Sequence, residues 1–596
     1  MSGIGADYEI KKYATDVLVV GGVIGVLAAA IRAREGGADV IVLEKANTAR
    51  SGNASSGIDH IQSFIPELHG RVGYTEDDMI SDQIASGGDL RSLMRADLIR
   101  DFVRRSAKDV ISLEQYGLRF RFDDSLLPGG FRIVPQFHSL PTSYHFEGRD
   151  IKRAMTNRAL GLGVAILNRA HVCELLKDGD AATGAIAIGT RDDAITVVNA
   201  KTTILATSGV ITRLSHNPTG AFNFELFETP GTGTGSGKVL AAKAGAEVVN
   251  LEFFGLGTSY TWLNYSFTVG LPGGSWWPAG RITDEGGNII VPRSKAFSPD
   301  DPKYKTNYRK ESERLGAGRG EIVRLLLQGR SLYFDLQEAT DEEIAYILWA
   351  LGHEGKTGVL KRYFEKNAVN LKTARFPLRL SGKSSPFYPG IWVKGTTTET
   401  SVRNLYATGN EIGGIGPPLP VAGYALVFGF GTGACASVRA KDAAPPKDVS
   451  GPYAEALKNR IADLHANAAS GSGENWRDAE WALQALVDNV ISKVYTETAV
   501  SQAGQMLAQL RESLRLSAGG PHERFRAFEV YELFDLAALL IASIFERKTS
   551  IGSFRRLDEE KFESENEGDS IGVFFEKGRI QASRLSNMLR SDAEAE

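Results

Sequence analysis

The first 45 residues alternate between apolar runs and a turn of small residues. An apolar run at Val17–Val20 is followed by a glycine-rich segment at 21–25, and small apolar residues continue to Ala30. A second apolar run at Val40–Leu43 ends at Glu44. Two apolar runs separated by a glycine turn and a small-residue helix predict a parallel βαβ unit.

The pattern changes three times further along the chain. Apolar residues recur at helical spacing over 75–115, and short strand-like runs follow over 163–205. From about 255 to 384, aromatic, glycine and charged residues become more frequent, which predicts an inserted domain. Strands and glycine turns return over 385–440, and helical stripes dominate after 452.

The βαβ unit has the layout of a dinucleotide-binding motif. Gly21 would permit a tight turn, a helix from Gly25 would direct its amides at a pyrophosphate, and Glu44 would accept hydrogen bonds from a ribose. The full motif has small residues at 21, 23 and 26, whereas this chain has Val23 and Val26. Two interpretations remain open: a nucleotide site, or an ordinary βαβ unit that binds no nucleotide.

Composition narrows the class of protein. The net charge is −4 and 42% of the residues are hydrophobic, so no nucleic-acid partner is expected. No apolar stretch has the length of a membrane span, and residues 1–12 do not resemble a signal peptide, so we expect a cytoplasmic protein. Cys173 and Cys435 are too few to hold an iron–sulfur cluster, and no metal site is predicted.

A second glycine-rich region indicates the cofactor. It consists of Asn404–Glu411, Gly413-Gly414 and Gly423–Gly429, and it is preceded by Thr207–Gly209 and Thr234–Gly237. In this order, and together with the βαβ unit, these motifs resemble the flavoprotein subunits of the succinate dehydrogenase, fumarate reductase and adenylylsulfate reductase superfamily. The resemblance covers most of residues 14–440 and implies FAD.

The same resemblance implies the fold class, which is α/β with an α+β cap. The expected parts are a Rossmann-like FAD-binding domain, an inserted capping domain that would bind the substrate, and a C-terminal helical domain. The predicted boundaries are 1–254 and 385–442 for the two parts of the FAD-binding domain, 255–384 for the cap, and 452–596 for the helical domain.

The resemblance also implies which residues bind FAD. Glu411 would lie near the ribityl chain, and the helix after Gly423 would direct its N-terminus at the flavin ring. Succinate dehydrogenases attach FAD through a histidine where this chain has Gly52, so we expect non-covalent FAD. The predicted FAD-binding residues are Gly21, Gly22, Gly25, Glu44, Lys45, Ser51, Gly52, Gly57, Thr207, Gly209, Gly409, Glu411, Gly423, Ala425 and Leu426.

Within the superfamily, the chain is similar above all to the adenylylsulfate reductase α-subunit. The segments that carry this similarity are Arg50–Gly57, Asp97–Arg100, Gly329–Asp335 and Gly390–Val393.

The substrate residues of these relatives are nevertheless replaced. The cap arginine of fumarate reducers is replaced within Ser275–Ala279, and their histidine–arginine segment is replaced by Pro417–Pro420. The arginine and the histidine of adenylylsulfate reductases are replaced at Gly257–Ser259 and at Ser385. Neither fumarate nor adenylylsulfate is therefore the expected substrate.

Four residues are candidates for chemistry at the flavin. His60 follows the flavin-adjacent segment, and Arg149 lies where relatives place a polar substrate contact. Tyr260 and Tyr265 belong to an aromatic cluster that would face the flavin and donate a proton. The alternatives are a structural histidine, a local ion pair of Arg149, and aromatic residues in the core of the cap.

Three functional hypotheses follow. The first is an FAD-dependent oxidoreductase that moves a hydride or electrons between flavin and an apolar or ring-bearing carbon substrate, with a ferredoxin-like iron–sulfur partner. The second is a self-contained flavoenzyme similar to ketosteroid dehydrogenases. The third is a non-catalytic subunit whose FAD binding is weakened by Val23 and Val26.

Overall fold

The structure is a computed structural model of the 596-residue chain. It describes residues 8–85, 88–123, 125, 128–132, 143–209, 211–215, 232–254, 257–261, 279–293, 322, 325–326, 328–353, 357–383, 389–415, 421–490, 494–551, 554–558 and 568–586.

The described residues form strands throughout the chain. They are β1 Ile10–Val20, β2 Val40–Glu44, β3 Ile58–Gln62, β4 Ser143–Gly148, β5 Ala165–Asn168, β6 Ala170–Asp178, β7 Ala181–Gly189, β8 Ile195–Leu205, β9 Val248–Val249, β10 Gly257–Thr261, β11 Arg281–Asp284, β12 Ile289–Val291, β13 Leu332–Asp335, β14 Arg375–Pro377, β15 Arg379–Lys383, β16 Gly390–Ile391, β17 Leu405–Ala407, β18 Val494–Tyr495, β19 Arg555–Arg556, β20 Ser570–Glu576 and β21 Arg579–Leu585.

Helices lie between these strands and fill most of the C-terminal region. They are α1 Ile24–Glu35, α2 Pro66–His69, α3 Glu76–Ala85, α4 Ala96–Ile111, α5 Ile151–Gly161, α6 Ser236–Ala244, α7 Asp341–His353, α8 Thr357–Lys366, α9 Val421–Asp442, α10 Ser450–Ser470, α11 Trp476–Val490, α12 Glu497–Ser513 and α13 Pro521–Glu546. Across the described part of the chain, no helix is both long and apolar enough to cross a membrane.

A seven-stranded sheet forms the centre of the molecule. Its order is β5-β2-β1-β8-β7-β6, and β17 also pairs with β8. Strand β1 is parallel to both β2 and β8, so β1, α1 and β2 make the predicted βαβ unit. Val17–Val20 are buried because β1 has neighbours on both edges and α1 on one face. The predicted α/β fold class is confirmed.

Helices α1 and α9 cross closely beneath this sheet because small residues face each other. A Cβ built on Gly25 would lie 3.0 Å from the Ala425 carbonyl oxygen, and one on Gly429 would lie 2.7 Å from the Gly25 carbonyl oxygen. A Cβ on Gly433 would overlap the Ala29 carbonyl oxygen. The glycines of α9 therefore set how closely the two helices approach.

The residues between 279 and 378 form a separate hydrophobic core. A four-stranded antiparallel sheet with the order β12-β11-β13-β14 supplies Ile282 and Phe334, and helices α7 and α8 supply Ile347 and Phe364. This core agrees with an inserted domain in the predicted interval, whose boundaries stay a prediction. Trp349 of α7 meets the ring of His145 on β4 edge-on at 5.1 Å.

The C-terminal region packs around α13, a 26-residue helix with buried residues along its whole length. The region is mostly helical, as predicted, and strands β20 and β21 form a hairpin after the helices. Strand β20 pairs with β9, which lies near the centre of the sequence. The apolar stripes of α13 predict its helix, whereas this pairing of distant strands has no local signature.

We predict that Gly433→Ala lowers the thermal unfolding midpoint. A methyl group there must displace the backbone of Ala29, and overpacking of this kind costs about 1–3 kcal/mol. Gly451→Ala is the matched control, because its Cβ would meet nothing within 4 Å in helix α10. Alanine is the better helix former, so the control should keep or slightly raise the midpoint. Equal midpoints for the two variants would contradict the close crossing of α1 and α9.

Candidate functional site

A cavity of about 430 Å³ opens where β1, β2 and β8 end and α1 begins. In doubly wound sheets, ligands bind at this edge, outside the carboxyl ends of the strands. The glycine turn at 21–23, residues Glu44–Ala46 and segment 232–236 line it. Four further lining residues come from α13, namely His522, Phe525, Arg526 and Glu529.

The glycine turn has the backbone geometry that its sequence predicts. Gly21 has φ +127°, a conformation that L side chains rarely adopt, and its N–H donates to the Leu43 carbonyl oxygen at 2.9 Å. A Cβ on Gly22 would overlap the Ser51 hydroxyl and the Glu44 carboxylate. Both positions therefore need glycine.

The two valines of the motif are accommodated by different means. Val26 is fully buried in the core on α1, so this side chain does not prevent the helix from packing against the sheet. Val23 lines the cavity in an ordinary extended conformation, with φ −80° and ψ 171°. Its Cγ1 would lie 2.9 Å from a Cβ on Gly52, whose φ is +78°. Gly52 therefore makes room for Val23.

Residues after β2 form the next wall of the cavity. Glu44 is buried at the end of β2 and accepts a hydrogen bond from the Ala46 amide at 2.9 Å. Lys45 Nζ donates to Glu529 Oε1 at 2.7 Å and to the Thr232 carbonyl oxygen at 3.1 Å. Glu44 and Lys45, which the sequence predicts to bind FAD, thus both line the cavity. The ammonium group of Lys45 is, however, hydrogen-bonded to Glu529 and Thr232.

Glu411 is held by protein groups on three sides. Its carboxylate accepts from Thr207 Oγ1 at 2.8 Å and from the Ser208 amide at 2.9 Å, and it pairs with Lys238 Nζ at 3.0 Å. Glu411 and Lys238 are both completely buried. The carboxylate therefore joins the end of β8 to α6, a positioning role that the resemblance does not predict.

Three of the six remaining residues predicted to bind the cofactor are glycines at which another part of the backbone comes close. A Cβ on Gly409, which has φ +59°, would lie 3.2 Å from Ala425 Cα, and one on Gly423 would lie 2.6 Å from the Gln62 carbonyl oxygen. A Cβ on Gly57, with φ +91°, would lie 2.7 Å from Arg149 Cα. The three other members of this set are buried: Gly209, Ala425 and Leu426.

The structure places three of the four predicted catalytic residues on or next to two separate pairs of antiparallel strands, β3 with β4 and β10 with β15. His60 is half-buried on β3 and pairs in register with His145 of β4. Arg149 is exposed in the turn after β4. Tyr260 pairs with Leu380 between β10 and β15, a part of the structure where side chains are not described, and Tyr265 lies outside the described residues. Their roles stay predictions.

A buried ionic cluster beside the cavity has no counterpart in the sequence predictions. Glu529 of α13 accepts from Lys45, from Arg526 at 2.7 Å, and from Arg213. Arg213 Nε also donates to Glu480 Oε1 of α11 at 2.8 Å. Burial alone would raise the pKa of Glu529, but the three cations outweigh burial and lower that pKa.

A second buried carboxylate, that of Glu532, lies on α13 next to the ionic cluster of Glu529. Glu532 accepts from Ser236 Oγ at 2.5 Å and contacts His171 Nε2 at 2.8 Å, and His171 lines the cavity. Glu529 and Glu532 are one helical turn apart on α13. In a sequence, charged residues at this spacing predict a helix face exposed to solvent, so no local signal identifies these two glutamates as buried.

We predict that Glu529→Gln lowers the unfolding midpoint at about pH 7, because Lys45, Arg526 and Arg213 lose the charge that they share, at a cost of about 3 kcal/mol. Among the described residues, only Arg213 keeps another carboxylate, Glu480. The pKa of Glu529 is lowered in the fold, so its contribution is present above the ordinary pKa of about 4.3 and is lost as the pH falls below it. The gap between wild type and variant should narrow below about pH 4. Melting curves across this range test both statements.

The matched control is Glu497→Gln. Glu497 pairs with Lys548 at 3.3 Å and more distantly with Arg556 at 3.9 Å, and Arg556 keeps its hydrogen bonds to Asp558. The Glu497 side chain is 55% exposed, so removal of its charge should change stability by less than about 1 kcal/mol. A Glu529→Gln variant with the same unfolding midpoint as this control would contradict the burial of the ionic cluster.

Comparison with known proteins identifies the class of site. Residues 16–261 match the family described as FAD binding domain. The L-aspartate oxidase of Mycobacterium leprae is 30% identical over 248 residues, which are 41% of this chain and 43% of the relative. The chain therefore spans less than half the length of the curated relative that it matches.

Solved structures show the same fold over nearly the whole chain. Adenylylsulfate reductase of Archaeoglobus fulgidus superposes with a TM-score of 0.76 at 20% identity, over 97% of this chain and 96% of that chain. The E. coli quinol fumarate reductase chain FrdA gives 0.75 at 17% identity, over 97% of each chain. The predicted resemblance is therefore confirmed: residues 16–261 match the FAD binding domain family, and the chain has the fold of adenylylsulfate reductase and of the fumarate reductase chain FrdA.

Proposed function

We propose that this protein is an FAD-dependent oxidoreductase whose cofactor lies in the cavity at the glycine turn. The observation that carries this proposal is the charge of the cavity lining. Five lysine or arginine residues line it against two carboxylates, Glu44 and Glu529. A cation-rich cavity at the N-terminus of a helix suits a pyrophosphate. The five cations are Lys45, Arg50, Arg169, Arg191 and Arg526.

The residues present fit FAD in a defined orientation. Gly21, Gly22 and the start of α1 would face the pyrophosphate, and the buried Glu44 would accept from the adenosine ribose. The end of β8, Gly409 and the start of α9 would then lie along the ribityl chain and the ring. FAD, when bound, supplies hydride and electron chemistry, and the protein supplies position, charge and a proton route.

For the substrate, we propose an apolar or ring-bearing carbon compound. The names of the relatives point to different substrates, namely L-aspartate, adenylylsulfate and fumarate. The sequence replaces the charged groups that would hold the last two. His60, Arg149, Tyr260 and Tyr265 stay the candidates for substrate contact and proton transfer. The replaced segments Ser275–Pro278 and Pro417–Pro420 lie outside the described residues.

For the electron partner, we propose a ferredoxin-like iron–sulfur protein. Cys173 is buried on β6 and Cys435 lies on α9, and two cysteines are too few to ligate a cluster. Within the described ranges, no three histidine, cysteine or acidic residues form a group that could hold a metal. Electrons would therefore leave the flavin directly for a substrate or for another protein.

We predict that the purified protein is yellow and releases its flavin on acid precipitation. Gly52 carries no side chain to which FAD could be attached, so the flavin should appear in the supernatant. Absorbance spectra of supernatant and pellet test this. Flavin retained in the pellet would contradict non-covalent binding. A colourless protein that cannot be reconstituted with FAD would contradict the proposed function and support a non-catalytic subunit.

We predict that Val23→Gly tightens FAD binding by roughly tenfold, or about 1.4 kcal/mol. The Val23 side chain lines the cavity where the turn must approach the phosphates. Titration of apoprotein with FAD, followed by quenching of flavin fluorescence, measures the affinity.

Val26→Ala is the matched control for this prediction. It removes methyl groups from the other valine of the same motif, whose side chain lies in the buried core. This variant should therefore lower the unfolding midpoint without a gain in affinity for FAD. Unchanged or weaker FAD binding by the Val23 variant would contradict the steric role of this side chain.

A further inference from the structure

Two side chains hold the carbonyl group of Gly22. Ser51 Oγ donates to the Gly22 oxygen at 3.1 Å, and the ammonium group of Lys152 donates to the same oxygen. Lys152 enters from α5, and only 2% of it is exposed. Neither the βαβ motif nor the resemblance to flavoproteins draws attention to Lys152. One backbone carbonyl in the phosphate-binding turn is thus fixed from two directions.

Fixing this carbonyl also fixes the next amide. A trans peptide directs its C=O and its N–H to opposite sides. Because Lys152 and Ser51 hold the Gly22 oxygen, the Val23 N–H at the start of α1 must point the other way. An oxygen facing the cavity would repel a phosphate, whereas an N–H there would donate to it.

Lys152 also places a positive charge beneath the turn. Its ammonium donates to a carbonyl rather than to a carboxylate, so its charge is not neutralised at hydrogen-bond distance. Burial lowers the pKa of Lys152 to about 8, and the nearby Glu44 acts in the opposite direction. An anion bound at the turn would stabilise the charged form of this lysine.

We propose that Lys152 is a positioning residue for the FAD pyrophosphate. It orients the Gly22–Val23 peptide and adds the charge that a turn with valine at position 23 needs. This inference rests on the proposed function, because it assumes that FAD binds at this turn.

Apart from Glu44, which acts on Lys152 directly, the charged groups near α5 are engaged elsewhere, so we expect the titration of Lys152 to affect the turn. Helix α5 packs against α1, segment 53–56 and segment 112–116. The charged pairs described on these elements and on α5 itself are Arg153–Asp150, Arg158–Glu35, Arg32–Glu35, Arg32–Asp109, Arg34–Asp39 and Arg121–Glu114. Tyr116 lies beneath the guanidinium group of Arg158.

The sign of the expected pH dependence follows from these groups. FAD binds the form with protonated Lys152, and binding raises the pKa of this lysine from the value of about 8 that burial gives it. The dissociation constant for FAD should therefore be flat below about pH 8 and should rise above it. Without Lys152, this rise should disappear.

The test is FAD titration of apoprotein, followed by quenching of flavin fluorescence from about pH 6.5 to about pH 9.5. We expect Lys152→Met to weaken FAD binding at least about tenfold at neutral pH and to abolish the rise at high pH. Lys152→Arg should restore the affinity and leave it flat with pH, because arginine stays charged. Circular dichroism verifies that each variant is folded.

The matched control is Lys177→Met. Lys177 also donates to a backbone carbonyl, that of Ala244, and burial also lowers its pKa, but it does not line the cavity. This variant should keep the affinity and the pH dependence of the wild type.

The outcomes separate this inference from the proposed function. Wild-type protein that binds no FAD would overturn both. Wild-type protein that binds FAD while Lys152→Met keeps the same affinity and pH profile would overturn the role of Lys152 alone. If Lys152→Met does not fold, the wild-type profile and Ser51→Ala decide. A flat wild-type profile together with unchanged affinity in the serine variant would then overturn the inference.

Discussion

The buried carboxylate of Glu529 is the interaction on which the assembled cavity depends. It lies on α13 and accepts from Lys45, Arg213 and Arg526, which come from three different parts of the chain. Removing such charges from water costs several kcal/mol each, and only mutual pairing offsets this cost. The charges on the cavity wall after β2 and on the wall formed by α13 therefore stabilise each other. Without the other wall, each would hold a buried charge that lacks part of its pairing.

A second constraint acts through one small residue. Ala425 of α9 is approached by Gly25 of α1 and by Gly409 of the second glycine-rich turn. The two sequence motifs that indicate FAD thus both contact the backbone of Ala425. The glycines at these positions serve helix packing and turn geometry. This explains why Gly25, a predicted phosphate residue, contacts another helix.

The sequence predicts the parts of this molecule that depend on local pattern. The spacing of apolar and small residues between Val17 and Glu44 predicts the βαβ unit and its glycine turn. The spacing of apolar residues after 521 predicts helix α13. The partners of Glu411 and Glu529 do not follow, because Lys238 and Arg213 reach them only in the folded chain. The pairing of β20 with β9 is missed for the same reason. His60, Arg149, Tyr260 and Tyr265 stay predictions, since their roles depend on a bound substrate.

The contribution of α13 to the cavity has a consequence for how the protein is made. Lys45 and Glu529 lie 484 residues apart in the sequence, yet they share a hydrogen bond at the cavity. During synthesis, the βαβ unit leaves the ribosome before Arg526 and Glu529. A nascent chain can therefore form the turn first, and it acquires the cavity wall on α13 only after that helix has also been made.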